Sequence, residues 1–213
     1  MTKQAVVFDM GNVLIGWDAV GAYKELLPDA GERAAFFRDL FPVIYTAVHD
    51  DPRPMDLCLA PVKEDHPHAT DLIEFYETQW ACFITGVMEE TVDLLTALHN
   101  EGVPLYGLTN WPHQVWPPHA QLGQEHHASY QFLDLFSDIV VSGQVQMMKP
   151  HPKIYEYALE RWGLVAGDTL FVDDLAENVE AAQALGMRGH KFVSAEALKG
   201  ELIKCRLLAP DQA

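Results

Sequence analysis

Two rhythms of apolar and polar positions run along this chain, and the change between them divides it. Ala5-Val6-Val7-Phe8 is a continuous apolar run of the kind buried in a central strand, with Asp9 at its carboxyl end. Gly11-Asn12 breaks the run and Val13-Leu14-Ile15 resumes it, which predicts a tight turn and a short flap. From Trp17 to about Thr85 the spacing is helical, with apolar residues at steps of three and four in Ala34 to Leu40 and in Ala69 to Cys82. No alternating strand is read there. The middle of that stretch, His49 to His68, is rich in Pro, Asp and His and is expected to be loop, with room for one short helix around Met55 to Leu59.

After Gly86 the rhythm becomes strand and helix in alternation. Met88, Val92, Leu95 and Leu98 share a helical face that ends at Asn100-Glu101-Gly102, with Gly102 suited to a left-handed dihedral. Val103 to Leu108 reads as a strand ending at Thr109-Asn110, and Trp111 to Pro118 starts a crossover. Ile139-Val140-Val141 is the next strand, His151 to Trp162 a helix, and Leu170-Phe171-Val172 a strand ending at Asp173-Asp174. Glu177 to Leu185 is a helix stopped by Gly186, and His190 to Val193 is a candidate last strand. Such alternation implies an α/β fold with a mostly parallel sheet covered on both faces, whose strand carboxyl ends are the expected site for ligands.

Charge and cysteine content narrow the partners. A formal net charge of -17 over 213 residues disfavours nucleic acid and anionic membrane as partners, because binding either needs Lys and Arg to displace counterions. A small anionic substrate remains compatible, since one lysine and a bound cation reverse the field inside a single cleft. Cys58, Cys82 and Cys205 lack metal or redox spacing and read as apolar residues of a reducing compartment. With neither a basic leader nor an apolar stretch of roughly 20 residues, cytoplasmic location is the expectation.

Four polar points follow the predicted strands: Asp9, Thr109-Asn110, Lys149 and Asp173-Asp174. A parallel fold brings them together, and phosphate chemistry needs that mixture. A carboxylate and a phosphate dianion repel unless something neutralises them. Asp9 with Asp174 could hold a hard cation such as Mg²⁺, Lys149 would add a second positive charge, and Thr109 and Asn110 would donate hydrogen bonds to phosphate oxygens.

These segments, Phe8-Asp9-Met10-Gly11-Asn12-Val13-Leu14, Leu108-Thr109-Asn110, Lys149-Pro150 and Phe171-Val172-Asp173-Asp174-Leu175-Ala176-Glu177-Asn178, resemble in order and spacing the four motifs of the haloacid dehalogenase superfamily. The resemblance implies a Rossmann-like hydrolase core of residues 1–15 and 86–213 with a helical cap of residues 16–85 inserted between the first two motifs. It implies a phosphatase in which Asp9 attacks phosphorus to give an aspartyl-phosphate. It further implies Mg²⁺ held by Asp9, Asp174 and the Gly11 carbonyl, with Asp173 a ligand or a carboxylate behind one, Thr109 and Lys149 orienting phosphate, and Asn178 in support. The substrate class implied is a small phosphorylated metabolite.

Two positions depart from the family pattern. Most phosphatases of the superfamily carry a second aspartate two residues after the nucleophile as general acid and base, and here that position is Gly11. General acid or base catalysis contributes about 10²–10⁴-fold, so its loss favours a leaving group that needs little protonation, such as a sugar-1-phosphate, an acyl phosphate or an aryl phosphate. The Asp-x-Gly-Asn-Val pattern also resembles the glucose-1-phosphate phosphatase branch. The second departure is Asn178, where many relatives carry another carboxylate.

Two other functions are weighed against this one. A 2-haloacid dehalogenase would use Asp9 on carbon without a metal, but Met10-Gly11 and the Asp173-Asp174 pair fit it poorly. A binding protein that retains the fold without catalysis draws support only from Gly11. Trp17 and Trp111 each follow a motif-bearing turn and are expected at the substrate entrance, with Tyr45, Trp80 and Trp116 as further candidates. Core packing is favoured for Trp80, and surface or capping roles for His66, His68, His126 and His127. The oligomer is expected to be a monomer or a homodimer.

Overall fold

The computed structural model describes residues 4–49 and 51–210. The outermost ends of the expected core spans, and residue 50 within the expected cap, lie outside the described residues. The chain runs β1 (Ala5–Phe8), β2 (Ile15–Trp17), α1 (Ala19–Ala22), α2 (Ala30–Asp39), α3 (Phe41–His49), α4 (Met55–Asp65), α5 (Thr70–Thr78), β3 (Ile84–Val87) and α6 (Glu89–Asn100). It continues through β4 (Leu105–Thr109), β5 (Asp138–Val141), α7 (Ser142–Val145), α8 (Pro152–Trp162), β6 (Thr169–Asp173), α9 (Ala176–Ala184), β7 (Arg188–Lys191) and α10 (Ala195–Lys204). An α/β Rossmann-like core carries an inserted helical cap, as the alternation of patterns predicts.

The core sheet is parallel and ordered β5-β4-β1-β6-β7. β1 lies at its centre, pairing Val6 with Leu105 on one side and Val7 with Phe171 on the other. All four β1 residues are buried, which is why this run is uniformly apolar rather than alternating. The chain winds outward from β1 through β4 and β5, then returns to β1's other flank as β6. The strand order therefore reverses between β1 and β6, and a crevice opens there at the carboxyl edge. Asp9 and Asp173-Asp174 stand at that edge.

Five elements differ from the sequence expectation. Between His49 and His68, expected as loop with room for a short helix around Met55 to Leu59, the eleven-residue α4 starts at Met55 and runs on to Asp65. Met55, Cys58, Leu59 and Val62 fall on one helical face and are buried there, and this packing holds the helix despite Pro61 in its interior. β2 and β3, not foreseen as a pair, form a two-stranded antiparallel ribbon where the chain leaves and re-enters the core. The last strand is Arg188–Lys191, two residues earlier than expected. An edge strand need not be apolar, and Gly189 allows close approach to Val179 and Gln183 of α9. The closing helix α10 was not anticipated; Ser194 caps it by accepting from the Ala197 N–H at 3.1 Å, and Leu198 and Leu202 anchor it.

The crossover between β4 and β5 carries two three-residue 3₁₀ turns, His113–Val115 and Pro118–Ala120, and a twelve-residue 3₁₀ stretch, Gln124–Leu135. Gly102 and Gly186 both adopt the left-handed conformation expected at the helix ends. Among the described residues no helix is long and apolar enough to cross a membrane.

Candidate active site

Backbone pairing aims the central carboxylate. The Asp9 N–H donates to the Val172 carbonyl at 2.8 Å, so the parallel ladder continues one residue past β1 and delivers the side chain beside the end of β6. Asp9 Oδ1 accepts from the Met10 N–H at 2.7 Å and from the Lys149 ammonium at 2.8 Å. Asn12 makes the turn that follows, with φ at 53°, and its side-chain oxygen accepts from the Trp17 N–H at 2.9 Å.

Lys149 is 2% exposed and lies between two carboxylates, with Asp173 Oδ2 at 2.7 Å on its other side. Its backbone is clamped by the Asn110 amide, whose Oδ1 accepts from the Lys149 N–H at 2.8 Å and whose Nδ2 donates to the Lys149 carbonyl at 2.9 Å. Asp173 is fully buried and engaged on both oxygens. Oδ1 accepts from the Leu175 N–H and from Asn178 Nδ2, each at 2.9 Å, and Oδ2 accepts from Lys149 and from Asn178 Nδ2 at 3.1 Å.

The charges are strongly coupled. Burial, with the neighbouring Asp173 and Asp174 charges, pushes the Asp9 carboxyl up to about 7 despite Lys149. Burial alone would lower the Lys149 ammonium, but Asp173 and Asp9 outweigh it and hold the charge above its ordinary range. Asp174 is raised by burial and by Asp173, partly offset by Lys149 and the Asn12 side chain. Such a site has surplus negative charge looking for a cation.

Oxygen atoms of Asp9, Asp173 and Asp174 lie within 4.8 Å of one another, a hard-oxygen donor set that fits Mg²⁺. Because Asp173 is already saturated by Lys149, Asn178 and a backbone N–H, Asp9 and Asp174 are the members with lone pairs to offer. Asp173 then holds Lys149 in place.

Above this cluster the cap closes with aromatic rings. Tyr45 and His49, one helical turn apart on α3, stack with centroids 3.5 Å apart. His49 is 1% exposed, and its Nε2 lies 2.7 Å from the Tyr76 hydroxyl. Its Nδ1 is buried without a hydrogen-bond partner among the described residues. Burial lowers this imidazole to about 3, so it is neutral. Trp17 packs 4.4 Å from Trp80 and 5.0 Å from Phe83, and Trp80 lies 5.1 Å from Trp111. Ser142 ties cap to core, its hydroxyl donating to the His49 carbonyl and accepting from the Trp111 N–H at 3.0 Å.

The resulting cleft of about 250 Å³ is faced by Asp9, Gly11, Trp17, Thr109, Asn110, Trp111, Lys149, Asp174 and Asn178, while Asp173 lies behind it. Trp80, expected as core, is both buried and part of the wall. Tyr45 also lines the cleft, but Trp116 is not among its lining residues. Sequence reasoning missed His49, Asn12 and Leu175. The four-residue spacing of Tyr45 and His49 was the available signal for His49.

Residues 3–186 match the haloacid dehalogenase-like hydrolase family. The sesquiterpene phosphatase astK of Aspergillus oryzae is 43% identical over 202 residues, covering 88% of this chain and 89% of that protein. A phosphoglycolate phosphatase of Aliivibrio fischeri is 34% identical over 109 residues, covering 51% of this chain and 44% of that protein. Among solved structures, the magnesium complex of a HAD family enzyme from Bacteroides thetaiotaomicron superposes with a TM-score of 0.66 at 21% identity, over 90% of this chain and 94% of that one. That likeness bears on the fold.

Proposed function

The chain belongs to the haloacid dehalogenase-like hydrolases, and from that premise we propose that it is a Mg²⁺-dependent phosphomonoester hydrolase acting through an aspartyl-phosphate on Asp9, with a substrate whose organic group is largely apolar. The observation that carries the reading is the buried Asp9–Lys149–Asp173 arrangement with Asp174 beside it, closed over by an aromatic wall.

Bound by Asp9 and Asp174, Mg²⁺ would neutralise the carboxylates and polarise the phosphoryl oxygens. The remaining work falls to the chain. Asp9 Oδ2 accepts no hydrogen bond among the described residues and is the free attacking oxygen. Lys149 offsets the charge of both the carboxylate and the incoming phosphate, and Asn110 fixes Lys149 through its backbone. Thr109, buried at the end of β4 and lining the cleft, would orient a phosphate oxygen. Cap closure keeps bulk water from the centre. A 2-haloacid dehalogenase, which needs no cation, would have no use for three clustered carboxylates.

The substrate's organic group would meet Trp17, Tyr45, Trp80 and Trp111, which offer apolar faces. This agrees with the relative that acts on a sesquiterpene. A sugar-1-phosphate is the second reading, favoured by Gly11 through its easily expelled leaving group. Phosphate release from an isoprenoid alcohol monophosphate and from glucose-1-phosphate, with and without Mg²⁺ and with Asp9→Asn as blank, tests both. The expected result is Mg²⁺-dependent release with kcat/KM highest for the isoprenoid ester. Preference for the sugar ester would overturn the apolar assignment, and equal slowness of wild type and D9N on every ester would overturn the phosphatase reading.

A further inference from the structure

An apolar alcohol leaves phosphorus as an alkoxide and needs a proton, yet Gly11 has no side chain to give one. The vacancy is spatial as well as chemical: a Cβ built on Gly11 would meet nothing within 4 Å. The cap answers it from above. Tyr45 reaches from α3 into the cleft that Asp9, Gly11 and Asn110 also line, its ring held by the His49 stack.

We infer that the Tyr45 hydroxyl donates the leaving-group proton that residue 11 cannot supply. This rests on the phosphatase reading above. Asn110 Nδ2 gives one hydrogen to the Lys149 carbonyl and has a second that can stabilise a phenolate at Tyr45, across the same cleft. As Asp9 forms its bond to phosphorus, the bond from phosphorus to the leaving oxygen breaks and that oxygen takes the Tyr45 proton. The phenolate, steadied by Asn110, then accepts one proton from the water that attacks the aspartyl-phosphate. The bond between phosphorus and Asp9 breaks, hydrogen phosphate departs, and both residues return to their starting states. Burial and the carboxylate charges raise the phenol above its ordinary range, which keeps it protonated before the reaction and brings it nearer to an alcohol in acidity. His49, neutral and backed by Tyr76, positions the ring without taking the proton.

The test compares Tyr45→Phe with wild type on two esters, an alkyl phosphate, whose alkoxide needs a proton, and p-nitrophenyl phosphate, whose phenolate does not. Y45F is expected to lose about 10²-fold more kcat/KM on the alkyl ester than on the aryl ester. Gly11→Asp introduced into Y45F is expected to restore part of the alkyl activity. Equal losses on both esters would make Tyr45 a packing residue, and no loss on either would place the donor elsewhere; both overturn the inference. Thermal melting of Y45F separates misfolding from lost chemistry, because a misfolded variant loses both esters together. If wild type released no phosphate from either ester, the phosphatase reading itself would fall.

Discussion

Replacing Lys149 by Met removes the one cation among three carboxylates while roughly keeping side-chain volume. Lys149 contacts Asp9 at 2.8 Å and Asp173 at 2.7 Å, and is nearly inaccessible to water. At an effective dielectric of about 20, each contact carries about 6 kcal/mol of Coulomb attraction, set against the cost of desolvating three ions. Truncating one partner of a buried ion pair typically costs about 3–5 kcal/mol, because the charge left behind has no compensation. In a chain of this size each kcal/mol moves Tm by about 2–4 °C, so K149M is expected to melt about 6–20 °C below wild type at neutral pH. Two further readings follow from the same electrostatics. The deficit is expected to shrink at about pH 5, where a carboxyl can take a proton and shed its charge. Asp9→Asn added to K149M is expected to recover stability, since it removes one of the repelling charges. Calorimetric melts of the single and double variants measure all of this. A K149M deficit below about 1 kcal/mol, or strictly additive losses in the double variant, would refute the account of the charge cluster.

The raised Asp9 carboxyl makes a pH prediction for the metal-free protein. Its folded value of about 7 exceeds the ordinary 3.8, so the folded state holds that proton more tightly than the unfolded one. Stability from this group is therefore highest at low pH and falls as pH rises toward about 7. Mg²⁺ competes with the same proton, so the rise in Tm on adding Mg²⁺ is expected to be larger at about pH 8 than at about pH 5.5; a rise independent of pH would contradict the Asp9 assignment. Gly143→Ala would put a Cβ 2.4 Å from the His113 amide nitrogen and 3.0 Å from the Trp111 carbonyl. It is expected to cost about 1–3 kcal/mol and to raise KM by displacing Trp111, and unchanged melting and KM would show that the loop has slack.

The sheet was legible because a central parallel strand must be apolar on both faces, and because Asp9, Asn110 and Asp174 stand where such runs stop. What escaped has equally physical causes. The full length of α4 was masked by Pro61, which cut the expected helix short at Leu59 although the burial face at Met55, Cys58, Leu59 and Val62 carries a helical period. β7 is an edge strand whose residues are not buried, so its pattern marked a last strand without fixing where it starts. Tyr45 was recognised only as an entrance candidate and His49 not at all. Their role depends on how the cap docks on the core, through contacts such as Ser142 to His49 across 93 positions of sequence, and local periodicity does not encode that.

Rapid quenching during turnover, followed by mass spectrometry of the peptide bearing Asp9, tests the central claim most directly. With Mg²⁺ and a phosphomonoester, the peptide is expected to gain the mass of one phosphoryl group at Asp9, labile to hydroxylamine and absent when Mg²⁺ is withheld. Phosphate release that proceeds at full rate with Asp9 never modified, and persists in D9N, would contradict it.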